Sequence, residues 1–331
     1  MKIIITGATG FIGRNLSESF HKEGMRVVAT GRSLSIGKEL RQAGIEFIPA
    51  DVRDQSQINN AFSPADYVIH CAGKAGDWGK YREFYETNVV GTRNVINACK
   101  RNDIKKIVYI STPSAYFNGR DRYGILESEP LPKKQFNYGK TKLMAENQLL
   151  ALKKEGFKTI ILRPRAVYGE YDQNIVPRII QLSEKKNLPM INGGRALVDI
   201  TYVGNVVVAV RNCFSAPDDA WNDVYNISNG APISMKEFSS QVLEIFGRPF
   251  KPKDIPESVA KITASIMELA SILPFGNKKP AMTRFSVGYV AKSMTTSIEK
   301  AKQKLNYIPE ITNQEGFGKV REWYSQTKHS T

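Results

Sequence analysis

A tyrosine and a lysine stand four residues apart in the segment Tyr138-Gly139-Lys140-Thr141-Lys142. On a helix this spacing places both side chains on one face, with Lys142 one turn beyond Tyr138. A neighbouring ammonium favours the phenolate and lowers the pKa of the tyrosine, so Tyr138 is a candidate general acid or base. Such pairs also occur by chance on surface helices, and the surrounding elements have to decide between the two explanations.

Hydroxyl side chains close the apolar run 107–111, where Ser111 is followed by Thr112 and Ser114. In parallel α/β sheets, functional sites lie at the carboxyl ends of the strands. A hydroxyl at this position can hydrogen-bond the substrate oxygen whose proton Tyr138 delivers or removes. Turn capping is the alternative role of Ser111 and Ser114.

A glycine-rich turn follows the first apolar run, residues 2–6. Gly7 allows a tight turn, Gly10 lets the backbone approach a pyrophosphate, and Gly13 lets the next helix pack closely on the strand. The amino end of that helix favours an anion. The predicted dinucleotide-binding loop comprises Gly7, Thr9, Gly10, Phe11, Ile12 and Gly13.

Strand-like and helical segments alternate through the first half of the chain. The predicted strands are 2–6, 26–30, 46–49, 67–70, 107–111 and 159–163, and the predicted helices are 11–22, 35–43, 55–62, 82–100 and 137–154. This alternation predicts an α/β, doubly wound parallel sheet, the Rossmann fold. We expect residues 1–165, rejoined by 199–228, to form the nucleotide-binding domain. Residues 166–198 and 229–331 would form a smaller, mostly helical substrate-binding lobe.

Several motifs together resemble the extended short-chain dehydrogenases/reductases of the NAD-dependent epimerase/dehydratase superfamily, over residues 1–229. They are Thr6-Gly7-x-x-Gly10-x-x-Gly13, His70-Cys71-Ala72-Gly73, Asn88-Val89-x-Gly91-Thr92, Ser111-Thr112, Tyr138-x-x-x-Lys142 and Arg163-Pro164. The resemblance implies a catalytic hydroxyl four residues before a turn tyrosine. Placing Tyr116 at that turn assigns the role to Thr112, with Ser111 as the alternative.

The resemblance also implies a set of cofactor contacts. Lys142 would bond the nicotinamide ribose, and Asn88 would support the neighbouring helix or a proton relay. Beyond the glycine loop, the expected cofactor-binding residues are Arg32, Ser33, Asp51, Val52, Ala72, Gly73, Asn88, Tyr138, Lys142, Pro164 and Val167.

The end of the second predicted strand indicates which dinucleotide binds. An NAD-selective site has a carboxylate there, for the ribose 2′-hydroxyl. This chain instead has Arg32 followed by Ser33. A guanidinium can clamp a 2′-phosphate through two hydrogen bonds, so we predict NADP, with NAD as the alternative. An exposed turn residue is the non-functional explanation for Arg32.

Segments 74–79, 111–114, 163–165 and 198–206 are similar to one branch of that family, which contains the 3β-hydroxysteroid dehydrogenases and 2-alkyl-3-oxoalkanoate reductases. This likeness implies an oxidoreductase that moves hydride between nicotinamide and the ketone or secondary alcohol of an apolar substrate, a β-keto acid or a sterol-like molecule. The irregular segment 170–197 and a helix at 256–273 would form a specificity lid. The expected substrate contacts are Lys74, Trp78, Ser114, Arg165 and Tyr168.

Two other functions compete with this prediction. An NAD-dependent nucleotide-sugar epimerase or dehydratase is disfavoured by Ala166, because epimerase-like relatives tend to carry Asn in that segment. A non-catalytic NADP-sensing regulator of the same fold would usually lack the Tyr138/Lys142 pair.

Charge and composition limit the partners. The net charge of +15 attracts anions, but the Lys and Arg residues are scattered, so a solvated surface is favoured over nucleic-acid binding. Three distant cysteines predict neither a disulfide framework nor a metal site. We expect a cytoplasmic protein without a leader or transmembrane span. The resemblance to the family implies a homodimer. The amphipathic helix 256–273 is expected to pack against the body, with lipid contact as the alternative.

Overall fold

The computed structural model describes residues 1–133, 135–184, 187–272 and 279–328. Along the chain the strands are β1 (Lys2–Thr6), β2 (Arg26–Gly31), β3 (Glu46–Pro49), β4 (Tyr67–His70), β5 (Lys106–Ile110), β6 (Arg122–Ile125), β7 (Lys158–Pro164), β8 (Val167–Tyr168), β9 (Leu188–Ile191), β10 (Leu197–Val198), β11 (Thr201–Tyr202), β12 (Asp223–Ile227), β13 (Ile233–Ser234), β14 (Pro252–Ile255) and β15 (Met294–Thr296). The helices are α1 (Phe11–Lys22), α2 (Leu34–Gln42), α3 (Gln55–Ala61), α4 (Tyr81–Tyr85), α5 (Gly91–Arg101), α6 (Asn137–Ala151), α7 (Val176–Ser183), α8 (Val203–Cys213), α9 (Met235–Ile245), α10 (Glu257–Ile272), α11 (Arg284–Ala291), α12 (Glu299–Leu305) and α13 (Asn313–Lys328).

Seven strands form the main sheet, in the order β12-β7-β5-β4-β1-β2-β3, with every adjacent pair parallel. The central strands are almost fully buried, as expected for a sheet covered by helices on both faces. The order reverses between β1 and β4, and ligands of doubly wound sheets bind at such a switch point. The predicted doubly wound α/β fold is thereby confirmed.

Two apolar layers hold the helices on the sheet. On one face Leu16 and Phe20 of α1 and Val206 of α8 pack against Ile3 and Ile5. On the other face α5 and α6 pack through residues that include Val95, Cys99, Ala145 and Leu149. The second layer therefore fixes the helix that carries Tyr138 and Lys142.

The segment 170–197, expected to be irregular, contains regular structure. Residues Ile175 and Ile179 set the apolar face of α7, and β9 pairs in parallel with β14. Residues 185 and 186 lie outside the described part of the chain. A second departure interrupts the predicted helix 82–100, where a π-helical turn covers Glu86–Val90. Such turns are frequent at functional sites.

Helix α10 presents its apolar stripe outward, so the expected packing of that stripe against the body is wrong. Val259, Ile262, Ile266 and Leu269 are 50–65% exposed. The opposite side of the helix carries Ala260 and Ala264, whose small side chains allow α10 to lie close to α11. Leu273, the last residue assigned to the stripe from the sequence, lies outside the described residues.

Candidate active site

Tyr138 lies in the first turn of α6, at the carboxyl edge of the main sheet. The neighbouring Gly139 brings the helix close to a 3-10 turn at Pro113–Tyr116, because a Cβ there would lie 3.1 Å from the Ser114 carbonyl oxygen. Burial raises the pKa of Tyr138, and a side-chain hydrogen bond with Thr112 opposes that rise. The two residues assigned from the sequence to proton delivery and oxygen binding are thus brought together.

Thr112 begins the 3-10 turn and keeps its hydroxyl among small polar groups. Its Oγ1 accepts a hydrogen bond from the backbone N–H of Ser114 at 3.2 Å and donates to Ser114 Oγ at 3.1 Å. Ser111, Thr112, Ser114 and Tyr138 all line one cavity. The hydroxyl cluster therefore faces a space that a substrate can enter.

Lys142 is buried and does not touch the Tyr138 hydroxyl. Its Nζ donates to the carbonyl oxygen of Ile110 at 2.6 Å and lies 4.0 Å from the ring centroid of Tyr109. Burial lowers the pKa of Lys142 to about 7, although the carboxylate of Glu146 acts in the opposite direction. The expected lowering of the Tyr138 pKa by Lys142 is absent from this arrangement, because the ammonium is directed at β5.

Ser111 is engaged in a buried ionic cluster. Its hydroxyl donates a hydrogen bond to the carboxylate of Glu146. The same carboxylate accepts hydrogen bonds from Arg163 Nε at 2.9 Å and from Arg163 Nη2 at 2.5 Å. Arg163 Nη1 donates to the Tyr116 hydroxyl, and Tyr116 donates to Asn226 Oδ1 at 3.0 Å. Through these bonds the ends of β5, β7 and β12 are fixed to α6. Of the two candidate hydroxyls, Ser111 belongs to this ionic cluster and Thr112 does not.

Two buried polar residues shape the turn after β4. His70 bonds Thr6 through Nδ1 at 2.6 Å and Thr92 through Nε2 at 3.0 Å. Burial, with a further contribution from Lys142, lowers the pKa of His70 to about 3, so the imidazole is neutral. Asn88 lies in the π-helical turn, and its Oδ1 accepts a hydrogen bond from the backbone N–H of Lys74 at 2.7 Å. The Ala72-Gly73 turn is therefore held in one conformation.

The glycine loop fits a dinucleotide pyrophosphate. Gly7 has φ +70°, and a Cβ on it would lie 2.6 Å from the amide nitrogen of Ala72. A Cβ on Gly13 would collide with the carbonyl oxygen of Gly7. Helix α1 starts after Gly10 without a side-chain cap, which leaves its first N–H groups for an anion. Phe11, Ile12, Pro164 and Val167 line the same cavity as Tyr138.

The expected adenosine-binding side of the cofactor site lies beyond β2. Arg32 is exposed, and among the described residues its guanidinium has no hydrogen bond or ion pair. Ser33 begins α2, and its hydroxyl accepts from the backbone N–H of Ile36 at 3.4 Å. Asp51 is instead held by Arg53, with Nε–Oδ1 3.1 Å and Nη2–Oδ2 2.6 Å. Val52 packs against Gly91, the first residue of α5.

A cavity of about 530 Å³ extends from the hydroxyl cluster to residues of α7, β9 and α11. Apolar side chains dominate its wall: Ile175, Ile179, Leu182, Leu188, Met190, Ile191, Met235, Ile255, Met282, Phe285, Val287 and Val290. The same wall carries two cations, Arg178 and Lys279, and two carboxylates, Asp77 and Asp172. A wall of this kind accepts an apolar molecule with a few polar groups.

The structure places only some of the residues expected to contact substrate in the cavity wall. Ser114 lies in the cavity wall, whereas Lys74, Trp78 and Tyr168 are not part of it. Lys74 Nζ pairs with a surface carboxylate at 2.8 Å. Tyr168 is buried in an apolar cluster with Phe238 and Phe317, and its hydroxyl donates to the carbonyl oxygen of Asn313 at 3.1 Å. These contacts explain why Lys74 and Tyr168 do not reach the cavity.

Arg165, the fifth of these residues, lies immediately behind the cavity. Its guanidinium is 4.0 Å from the ring centroid of Tyr289, which lines the wall. Nε and Nη1 are buried without hydrogen-bond partners. Burial lowers the pKa of Arg165 to about 10, while the carboxylate of Asp199 opposes this effect. Asp199 Oδ1 is also buried without a hydrogen-bond partner, and its carboxylate offsets the charge of this guanidinium.

The comparisons with known proteins agree with this geometry. The model of the NAD dependent epimerase/dehydratase family matches residues 3–228. The chain belongs to this family. A 2-alkyl-3-oxoalkanoate reductase of Stenotrophomonas maltophilia is 33% identical over 97% of this chain and 98% of the relative. A 3beta-hydroxysteroid-dehydrogenase/decarboxylase of Arabidopsis thaliana is 31% identical over 98% of this chain and 80% of its own length.

A solved structure of UDP-glucuronic acid 4-epimerase from Bacillus cereus, in complex with NAD, superposes with a TM-score of 0.75. It covers 99% of both chains at 23% identity, which establishes the shared fold alone. The membership of the epimerase/dehydratase family and the predicted branch are confirmed by these matches. The protein is an NAD(P)-dependent oxidoreductase.

Sequence reasoning missed two parts of the site. Glu146 lies one helical turn beyond Lys142, and that i, i+4 spacing was the available signal. The second part joins the loop after β4 to the segment before α11 at the cavity wall. Asp77 accepts hydrogen bonds from Lys279 at 2.7 Å and from the Thr283 hydroxyl at 3.0 Å. Nothing in the sequence separates this pair from ordinary surface charges.

Among the described residues, no cluster of potential ligands could hold a metal ion, and no helix is long and apolar enough to cross a bilayer.

Proposed function

We propose that this family member is an NADP(H)-dependent reductase that acts on the ketone of an apolar, acidic substrate, of the β-keto acid type. The observation that carries the proposal is the apolar cavity, because its wall includes both Thr112 and Tyr138 and the cofactor-side residues Phe11 and Ile12. The S. maltophilia relative is named as a reductase of 2-alkyl-3-oxoalkanoates, and its similarity over almost the whole chain supports this substrate class. A sterol-like ketone is the alternative substrate.

Three side chains would carry the reaction. The nicotinamide, when bound, would supply hydride to the carbonyl carbon. Tyr138 would deliver a proton to the carbonyl oxygen, and Thr112 would hydrogen-bond that oxygen. Lys142, whose ammonium here donates to the carbonyl oxygen of Ile110, would bond the ribose. Ser111 is excluded from the role of Thr112 in this proposal, because its hydroxyl is engaged by Glu146.

The preference for NADP over NAD rests on Arg32. Its unpaired guanidinium follows β2, next to the hydroxyls of Ser33 and Ser35, which lie 3.0 Å apart. A 2′-phosphate would find two hydroxyl donors and a planar cation there. No carboxylate stands in the segment Thr30-Gly31-Arg32-Ser33 to select the 2′-hydroxyl of NAD.

The substrate carboxylate would be received at the basic side of the cavity. Arg178 and Lys279 line the wall, and Arg165 lies behind Tyr289 with two free donors. Lys279 is already paired with Asp77, and Arg178 donates to the carbonyl oxygen of Ala281. Arg165 has free donors, and a carboxylate would reach them once the Tyr289 ring turns aside. The acyl chain would occupy the apolar wall formed by α7 and α10–α11.

Net NADPH oxidation tests the proposal. The purified chain is offered long-chain β-keto acids, steroid ketones and nucleotide-sugars, with Tyr138→Phe as the matched inactive control. We expect oxidation with β-keto acids and a loss of at least about a hundredfold in the variant. Tightly bound NAD together with no net oxidation would favour a nucleotide-sugar epimerase or dehydratase. An unchanged biological activity of Tyr138→Phe would favour the NADP-sensing regulator.

A homodimer and a cytoplasmic location stay predictions. Light scattering would check the first and cell fractionation the second.

A further inference from the structure

Helix α10 has two faces with different environments. Its inner face carries Ala260, part of the cavity wall, and Ala264, which is fully buried. Its outer face carries the apolar stripe Val259, Ile262, Ile266 and Leu269. The spacing of three, four and three residues places these four side chains on one side of the helix. No described residue of this chain covers them, and exposed apolar patches on soluble surfaces mark interaction sites.

In the ion pairs around α10, the basic side chains are more exposed than the acidic ones. Three ion pairs, Lys261–Glu257, Lys279–Asp77 and Arg284–Glu268, flank the helix. The cations are 50–66% exposed, whereas the carboxylates are 12–18% exposed. The acids are therefore turned toward the body and the cations toward solvent. The surface around the stripe thus presents positive charge.

Two further lysines extend this positive surface. Lys251 and Lys253, at β14 just before the helix, are exposed, and neither side chain has a hydrogen bond or ion pair among the described residues. Within residues 251–272 and 279–292 there are six Lys or Arg against three Asp or Glu, and of these acids Asp254 is exposed as well. An apolar stripe bordered by cations is complementary to a bilayer with anionic headgroups, which accepts apolar side chains between charged lipids.

We propose that the outer face of α10, with its bordering cations, docks on an anionic lipid bilayer. The helix would lie in the plane of the interface, with the stripe inserted and Lys251, Lys253 and Lys261 among the headgroups. Since the inner face of the same helix lines the apolar cavity, docking would bring the cavity next to the lipid phase. The contact is peripheral, in agreement with the absence of a spanning helix among the described residues.

Vesicle flotation tests the docking surface. The full chain is mixed with vesicles of phosphatidylcholine and phosphatidylglycerol, or of phosphatidylcholine alone. We expect flotation with the anionic vesicles and little with the neutral ones. The double variant Ile262→Gln/Ile266→Gln should lower the partition coefficient at least about tenfold, because two apolar side chains no longer enter the bilayer. The matched control is Leu126→Gln/Ile308→Gln, whose two parent side chains are also exposed but lie far from α10 in sequence.

The outcomes separate the docking surface from its alternatives. No flotation of the parent, equal flotation with both vesicle types, or parental flotation of Ile262→Gln/Ile266→Gln would each overturn the proposal. A parent dimer that this variant converts to a monomer, without vesicle binding, would identify the stripe as an interface between two copies and overturn it as well. A Lys251→Gln/Lys253→Gln variant should bind anionic vesicles more weakly than the parent. Flotation needs no turnover, so its result is independent of the proposed reductase activity.

Discussion

Removing the hydroxyls of Ser111 and Thr112 one at a time should separate stability from catalysis. The two residues are neighbours, but Ser111 donates to the buried carboxylate of Glu146 while Thr112 faces the cavity beside Tyr138. A hydrogen bond to a charged group contributes about 1.5–3 kcal/mol to stability. Ser111→Ala should therefore lower the free energy of unfolding by that amount and leave kcat close to that of the parent, because Arg163 still holds Glu146.

Thr112→Val should have the opposite profile. Loss of one hydrogen-bond donor to the reacting oxygen costs about 10²–10³ in kcat. The stability cost is smaller, about 1 kcal/mol, because the bonds that are lost, to Ser114 and Tyr138, all join neutral groups. Thr112→Ser, which keeps the hydroxyl, is the matched control and should retain most of the activity.

Two measurements decide the comparison: urea unfolding of each cofactor-free variant, and the initial rate of NADPH oxidation with a reactive ketone. If Ser111→Ala loses activity a hundredfold or so while Thr112→Val keeps it, Ser111 is the catalytic hydroxyl and the assignment to Thr112 is refuted. If both variants lose only stability, neither hydroxyl binds the reacting oxygen.

Three further substitutions test other parts of the site. Arg32→Glu should raise KM for NADPH at least about tenfold more than KM for NADH, because the cation for the 2′-phosphate becomes an anion; Arg26→Glu, at the other end of β2, should change neither. Arg165→Met should raise KM for a β-keto acid but not for its methyl ester, and an equal effect on both would rule out a carboxylate contact. Burial lowers the pKa of Lys142 to about 7, so from about pH 7 to pH 10 the unfolded chain holds a proton that the folded chain has lost, and the free energy of unfolding of the cofactor-free protein should rise with pH. Lys142→Met should remove that part of the rise, and an identical pH dependence in parent and variant would contradict the lowered pKa.

Local sequence pattern was sufficient for the nucleotide half of the molecule. Short apolar runs, glycines at fixed spacing and 3.6-residue periodicity each report on neighbours close in sequence, so the bounds of β1, α1, β3 and β4 were predictable. Tyr138 and Thr112 could be paired for the same reason, since the carboxyl ends of parallel strands share one edge.

Features that depend on distant contacts were not predictable. The direction of the Lys142 ammonium depends on the backbone of β5, and the orientation of α10 depends on whether alanines or larger side chains fit against α11. An amphipathic pattern defines a face but not what that face contacts. The stripe on α10 was thus identifiable from sequence, and its exposure was not.

The Asp77–Lys279–Thr283 contact ties the loop after β4 to the segment before α11 at the cavity wall. Burial acts to raise the pKa of Asp77, but the hydrogen bonds from Lys279 and Thr283 outweigh it, so the pKa is lowered and the carboxylate stays charged at neutral pH. The Lys279 side chain is 57% exposed, and ion pairs open to solvent weaken as dissolved salt screens them. A higher salt concentration would weaken this contact, and the enzyme would then hold its bound product less tightly. Where product departure limits turnover, kcat should increase with ionic strength in the parent and be insensitive to it in Lys279→Met.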